Sequence, residues 1–521
     1  MMMLVMICVT TSSEDDTAAS TNIAVQHIDD AQLVEDLLNN KEKNTCLAHI
    51  GSDFLLVAFE QGDEWGLCVT PGVTSTDSAP SLLSSADSQL VSVAAVDVDL
   101  VVQVHASLSD AAANASACLP VETSRGQCTF RSAVELCASH LTAEDRNCTI
   151  VLSPADDVRL DAAFGQMPRV SSGLGSFSVL GKGSSFSLAG GSSSSTSLQL
   201  LFVASSVAGD LRFTMTDCHV SHFGNETLVG GAVHLSGVVS SLIENCVFSN
   251  NTGHMGGAVY IGNSNSHVDI IDCSFRRNLA ASLGGGLYIG SFNNDFLLQN
   301  VSFTNNTAFS GGGLFVNNDN SDFRFFSCVV LSNVVSNTGG GGFLNNDNIR
   351  FVLKHCDFIE NTALDFYAGG LYLYSRNQVE LHFVRFVGNL ATYGGGLNGD
   401  SDNDYTLMSN CYFERNIAAF GGALTFYASH VFLVIQNTTF HMNHASISGG
   451  AMYFGVNNDD FLLQDLHFSN NTAAVCPYFS HVWCRFVLHK ILLTNLLGCV
   501  LIYVHACMCL YHDCMYVHAC A

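Results

Sequence analysis

Between residues 230 and 471 the apolar positions come in short alternating runs, among them Leu287-Tyr288-Ile289, Phe296-Leu297-Leu298 and Val301-Ser302-Phe303, separated by clusters of Gly, Asn, Asp and Ser. Alternation with a period of two is the pattern of a strand with one buried face, and no run here is long enough for a helix of ten residues. Strands of three to five residues cannot bury an apolar face alone. They must stack on copies of themselves, so the next question is whether the runs repeat.

They do, in two columns. A Gly-Gly-small-apolar element begins at Gly230, Gly256, Gly284, Gly311, Gly340, Ala368, Gly394, Gly421 and Gly449. A Phe-x-x-Asn element follows in phase, with its Asn at Asn251, Asn278, Asn306, Asn333, Asn361, Asn389, Asn416, Asn443 and Asn471. Its aromatic position is Phe248, Phe275, Phe303, Phe358, Phe386, Phe413, Phe440 and Phe468, interrupted by Val330. Two nine-member columns in register predict an all-β fold, a right-handed parallel β-helix with three strands in each coil. Strands about 4.8 Å apart in successive coils make nine coils a rod of roughly 40 Å.

Each column then has a physical assignment. Phe at equivalent positions stack along the interior, where offset aromatic contacts add to area burial. Asn at equivalent positions form an amide ladder that satisfies buried turn backbone, and paired Gly allow positive φ or close approach. Five residues before each ladder Asn stands Cys246, Cys273, Val301, Cys328, Cys356, Val384, Cys411, Thr438 or Leu466, a set that reads as inward-facing with free buried thiols. The clusters Asn293-Asn294-Asp295, Asn317-Asn318-Asp319, Asn345-Asn346-Asp347, Asp402-Asn403-Asp404 and Asn457 to Asp460 read as Asx turns on a solvated edge, with calcium binding as the rival.

Outside the repeats the chain changes character. Residues 1–22 are a candidate degenerate signal peptide, apolar from Met1 to Val9 but without a basic start. Residues 23–122 form a separate β-rich region of unknown fold, with helical spacing from Ala24 to Leu38 and strand-like alternation from Gln89 to His105. Cys128 to Cys137, followed by Cys148-Thr149-Ile150-Val151-Leu152, looks like an amphipathic helix capping a β-helix that runs over 123–474. A cap is needed because an open coil end exposes core and strand edges. Residues 475–521 are an aberrant Cys/His-rich tail in which Tyr503-Val504-His505-Ala506-Cys507 returns as Tyr516-Val517-His518-Ala519-Cys520, a pattern expected of translated non-coding sequence.

Composition narrows the partners. The net charge of -27 excludes nucleic acid, and with only 12% charged residues solubility rests on uncharged polar groups. Twenty Cys in 521 residues suit an oxidising compartment, hence secretion or the cell surface. Asn-x-Ser/Thr sequons for glycosylation begin at Asn114, Asn147, Asn225, Asn250, Asn300, Asn305, Asn437 and Asn470. No residues are assigned to a cofactor, a metal or catalysis.

The paired elements, as in Gly256-Gly257-Ala258-Val259 with Phe248-Ser249-Asn250-Asn251, resemble the repeats of the chlamydial polymorphic outer membrane protein family over residues 230–471. The resemblance implies a pectin-lyase-like β-helical passenger that acts in adhesion. It implies a cell-surface protein or glycan as partner, with the membrane reached only through the tail. The expectation is a non-catalytic binding protein. The alternative is a polysaccharide lyase or hydrolase, since β-helices host both and the fold does not decide function.

Overall fold

The structure is a computed structural model that describes residues 128–474 apart from short loops at 142–146, 153–156, 165, 173–174, 189–197, 206–210, 457 and 459, together with strands at 4–10, 22–28, 46–50, 54–61, 64–71, 100–104 and 486–494. The chain divides into two units, residues 1–94 with 120–125, and the remainder. The first carries an antiparallel sheet in which Leu4–Thr10 pairs with Asn22–Ile28 and with Glu64–Pro71, followed by Phe54–Gln61 and Cys46–Ile50. The helical spacing expected from Ala24 therefore gives way to strand through Ile28. Residues 29–38 lie outside the described residues, as do Asn114 and the tail except its strand Phe486–Thr494.

The second unit is a right-handed parallel β-solenoid of about 11 turns, nearly all β, with one short helix among the described residues. That helix, α1 (Phe130–His140), starts at Thr129, whose side chain accepts from the Ser132 amide. It buries Phe130, Val134 and Cys137 against the first coil and is tied to the strand Asn147–Leu152 by the Cys137–Cys148 disulfide. The strand Leu100–Val104 pairs in parallel with Asn147–Leu152, so the solenoid sheet recruits residues from within the 23–122 region. At the other end Phe486–Thr494 pairs with Phe461–Ser469, so the tail adds a strand where the sequence columns stop.

Each regular coil has three faces. In one coil, face one is Leu287–Ile289, face two is split into Asn294–Gln299 and Ser302–Thr304, and face three is Thr307–Ala308. Face two is therefore broken by a bend, and the backbone turns there through a residue at positive φ such as Asn300 or Ser327. The Gly pair closes the coil. A Cβ on Gly256, at φ +66, would collide with the Val259 carbonyl, and one on Gly257 with the Gly285 carbonyl of the next coil. In the fifth coil the positive φ belongs to Gly339, not Gly340, and in the sixth Ala368 takes it at φ 50.

The core holds the aromatic column. Phe248, Phe275 and Phe303 stack at 5.1 and 5.0 Å, and Phe358, Phe386, Phe413, Phe440 and Phe468 at 4.8 to 5.0 Å. Where Val330 interrupts, Phe325 occupies the inner position held by Leu298 and Leu353 in the flanking coils, and both line the same small void. Missing bulk at one position is thus made up at another. The Cys of the neighbouring column are buried and free, and Cys273, Cys328 and Cys356 each reach a carbonyl of the previous coil at 3.4 Å.

Candidate functional site

Two turns fix the coil geometry. At the first, each ladder Asn is 0 to 1% exposed and its Nδ2 donates to Oδ1 of the next, at 2.9 to 3.1 Å from Asn251 to Asn471. Nδ2 also donates to the carbonyl of the preceding coil's aromatic position, as from Asn361 to Val330 at 2.8 Å, and Oδ1 accepts the backbone amide of the Asn before it. The residue ahead of each, such as Asn250, Ser332 or Arg415, sits at positive φ and turns the chain so that the amide points inward.

The second turn, between faces one and two, holds a ladder that sequence reasoning missed. Asn265, Asn293, Asn320, Asn348, Asn377, Asn403, His430 and Asn458 are all buried. Side-chain bonds of 2.9 to 3.0 Å join Asn265 to Asn293, Asn320 to Asn348, Asn348 to Asn377 and Asn377 to Asn403. The Asn-Asp clusters expected on a solvated edge are thus half interior. Within them Asp319, Asp347 and Asp402 take the positive-φ position and face out, while the next residue is the buried Asn. The ladder positions recur every 26 to 29 residues, but in sequence they stand among Asn and Asp of the same turn. At His430 the imidazole stands in for the amide: Nδ1 accepts the Asn403 amide at 3.1 Å and Nε2 lies 3.2 Å from the Gly399 carbonyl. Burial lowers its pKa to about 4.

The sequons fall on the same turns. Asn250, Asn300, Asn305 and Asn437 are exposed at positive φ, Asn470 is half-buried at positive φ, and Asn147 and Asn225 are half-buried. Asn250, Asn305 and Asn470 are sequons because a left-handed Asn, a ladder Asn and a strand-opening Thr follow one another.

The outer side of face one carries a third column, also unforeseen. Phe202, His234, Tyr260, Tyr288, Phe315, Phe343 and Tyr372 are register partners in successive coils, with ring centroids 4.6 to 5.6 Å apart. The row then breaks at Asn398 and Thr425 and resumes at Tyr453. In those coils the aromatic mass has moved to the residue before the Gly pair. Tyr367 stacks on Tyr372 at 5.4 Å and contacts Tyr393 at 5.2 Å, and Tyr393 stacks on Phe420 at 5.0 Å.

Into this break comes Asp400. It follows Asn398 by two residues, so both side chains leave the same side of the strand. Its carboxylate accepts from the Tyr372 hydroxyl at 3.1 Å. Register places it between Tyr374 of the previous coil and Tyr427 of the next, which are 42% and 43% exposed. Ring contacts run from Tyr374 through Tyr372, Tyr367 and Tyr393 to Tyr427, so five of the chain's 14 Tyr form one contact chain, and its member Tyr372 bonds the Asp400 carboxylate. Burial, and to a lesser degree the charge of Asp402, raises the Asp400 pKa despite the Tyr372 hydrogen bond. Burial and the Asp400 charge raise Tyr372 far above the ordinary phenol value. The amide of Asn398 is 0% exposed and neither its nitrogen nor its oxygen has a hydrogen-bond partner. Such orphaned groups are rare because each forfeits its hydration.

Among the described residues no group of three or more His, Cys, Asp or Glu is arranged to hold a metal ion, and no helix is long and apolar enough to cross a membrane. The family described as right handed beta helix region matches residues 202–386. No curated protein matches the chain. Among solved structures, a double mutant of the periplasmic alginate epimerase AlgG is 10% identical, with coverage of 66% of this chain and 77% of that one and a TM-score of 0.37. PfbA, a surface adhesin of Streptococcus pneumoniae, is 9% identical, with 71% and 88% covered and a TM-score of 0.38. The catalytic domain of a GH87 alpha-1,3-glucanase in complex with tetrasaccharides is 9% identical, with 94% and 86% covered and a TM-score of 0.38. Similarities of this size concern the coiled architecture and carry no argument about activity or ligand.

Proposed function

We propose that this chain is a secreted or surface-displayed binding protein of the adhesion type, without catalytic activity, whose partner is a cell-surface glycan or protein. The observation that carries the reading is the chain of five Tyr in mutual contact, joined to Asp400 through Tyr372, in the coils where the outer aromatic column of face one is broken. Tyr supplies large, rigid, amphipathic contact area at little entropic cost, which is why it is enriched in recognition surfaces. A solenoid tied by two amide ladders holds that surface in place, and pre-organisation is what turns contact area into affinity. The likeness of the GGA-apolar and FxxN elements to polymorphic outer membrane protein repeats supports adhesion and a location outside the cell.

A second reading, a polysaccharide hydrolase or lyase, is favoured by one feature. Asp400 has a raised pKa and Asp402 lies two residues away, and glycoside hydrolysis uses two carboxyl groups in contrasting environments. Exposure of the full chain to immobilised cell-surface glycans and whole cells tests both. Retention without release of new reducing or unsaturated ends supports the binding reading. Release that is lost in Asp400→Asn would replace it with the enzymatic one, and no retention on any surface would overturn it.

A further inference from the structure

We infer that Tyr374, Asp400 and Tyr427, with Asn398 buried beside Asp400, form a subsite for an uncharged, hydroxyl-rich saccharide that lies across successive coils of face one. The inference rests on the binding reading above and specifies its ligand class. Three observations point to it. Tyr374 and Tyr427 are exposed and flank Asp400 from coils two strand spacings apart, roughly 10 Å. That spacing presents two aromatic platforms along the solenoid axis with a hydrogen-bond acceptor between them. The apolar faces of a pyranose ring lie against aromatic rings while its equatorial hydroxyls point sideways, and a carboxylate already held by Tyr372 accepts from such hydroxyls with a charge-assisted bond.

The second observation is Asn398, whose amide has a free donor and a free acceptor in the buried layer beside Asp400. A hydroxyl both donates and accepts, so it matches an orphaned amide as neither a pure cation nor a pure anion does. Its register neighbours Tyr372 and Thr425 are buried, so this layer must open for a hydroxyl to reach the amide. The preceding coil has Tyr372 at this position and the next has Thr425, whose hydroxyl bonds the Phe420 carbonyl, so of the two polar side chains in the break Asn398 is the one left without a partner.

The third is charge. With a net charge of -27 and Asp400, Asp402 and Asp404 on the same stretch, polyuronates and sulfated chains are repelled. The rings also contact one another at 5.2 to 6.4 Å and enclose no cage of the kind that holds a quaternary ammonium group.

The experiment uses the full chain, with uncharged oligosaccharides of glucose, galactose, mannose and xylose as probes, oligogalacturonate as the anionic counterpart, and titration calorimetry as readout. One or more of the uncharged series should bind while oligogalacturonate does not. Tyr374→Ala and Tyr427→Ala should each weaken binding about tenfold, and Asp400→Asn by a similar factor. Tyr405→Ala, an exposed ring stacked on Phe432 at the second turn, should leave it unchanged. Asn398→Leu gives the readout that a merely structural role would not: thermal stability without ligand should rise while affinity falls. Circular dichroism on each variant establishes that the β signal is kept.

Uncharged saccharide binding that survives both Tyr substitutions overturns the subsite and leaves the binding reading standing. So does preference for oligogalacturonate. Retention on cells with no saccharide bound overturns the ligand class alone, and retention on nothing overturns both.

Discussion

The two turns of the coil solve the same problem with different degrees of uniformity. The turn lined by Asn251 to Asn471 repeats one residue in nine coils, whereas the turn lined by Asn265 to Asn458 admits His430 and surrounds its ladder with Phe292, Asp319, Asp347, Arg376 and Asp402. Both must satisfy the backbone of a tight bend inside a solenoid, so the buried partner is constrained at each. The difference lies in what faces out. Next to the second turn stands Asp400 with its tyrosines, so tolerance of variety and the candidate binding surface occur side by side.

The comparison breaks most sharply at the uniform turn. Asn361→Ala removes the acceptor of the Asn333 amide groups and the donor to Asn389 and Val330, leaving several buried groups unpaired. Denaturant titration should show a loss of at least about 3 kcal/mol. A shift below about 1 kcal/mol would mean that water enters the turn and that the ladder is ornamental.

At the variable turn the exception can be titrated. The folded pKa of His430 is lowered to about 4 from 6.5, so the unfolded chain takes up its proton first as pH falls. The stability tied to neutral His430 is complete above pH 6.5 and is lost progressively down to about pH 4. His234, likewise lowered to about 4 by burial, acts in the same direction. His430→Asn restores the amide and should remove one of the two contributions. At pH 5 it should exceed the parent chain in stability by about 2 kcal/mol, beyond any difference at pH 8. Parallel stability curves between pH 8 and 4 would refute the assignment.

The uniform side has its own exception in Val330, and there the compensation is steric. Val330→Phe alone should destabilise by about 1 to 2 kcal/mol through overpacking against Phe325, and adding Phe325→Leu should recover most of that loss. Additive effects in the double mutant would show that the two side chains do not share the void. The smallest effect belongs outside the second ladder. Asp347 pairs with Arg376 on the surface at 2.6 and 2.7 Å and its carboxyl pKa is lowered by that hydrogen bond. Asp347→Asn, which keeps a residue tolerant of positive φ, should cost under about 0.5 kcal/mol.

What could be read from the residues follows from how the side chains are used. The Phe and Asn columns sit at interior positions where one residue type fits in every coil, so their spacing survives as an uninterrupted pattern. The second ladder keeps one turn position in space, with His430 in place of one Asn and the Asn293 side-chain nitrogen unpaired. In sequence it is hidden among Asn and Asp that share its turn, and telling Asn320 from Asn317 or Asn318 requires knowing which amide points in. The aromatic column after the Gly pair was legible, as Tyr260, Tyr288, Phe315, Phe343 and Tyr372, and its break at Asn398 was the available sign of a special surface. What could not be read was that Tyr367 and Tyr393, placed before the Gly pair, come round to stand beside that break.

By itself, then, the sequence determined the solenoid, its period, its capping helix and its Phe and Asn interior, because stacking identical coils makes burial a function of position within the period. Only the tertiary structure decided which Asn of each acidic turn is buried, how Phe325 fills the space left by Val330, and that Asp400 meets a contact chain of tyrosines drawn from three coils. Those depend on distances between residues 26 to 29 apart in the chain, which are set when one coil settles on the next.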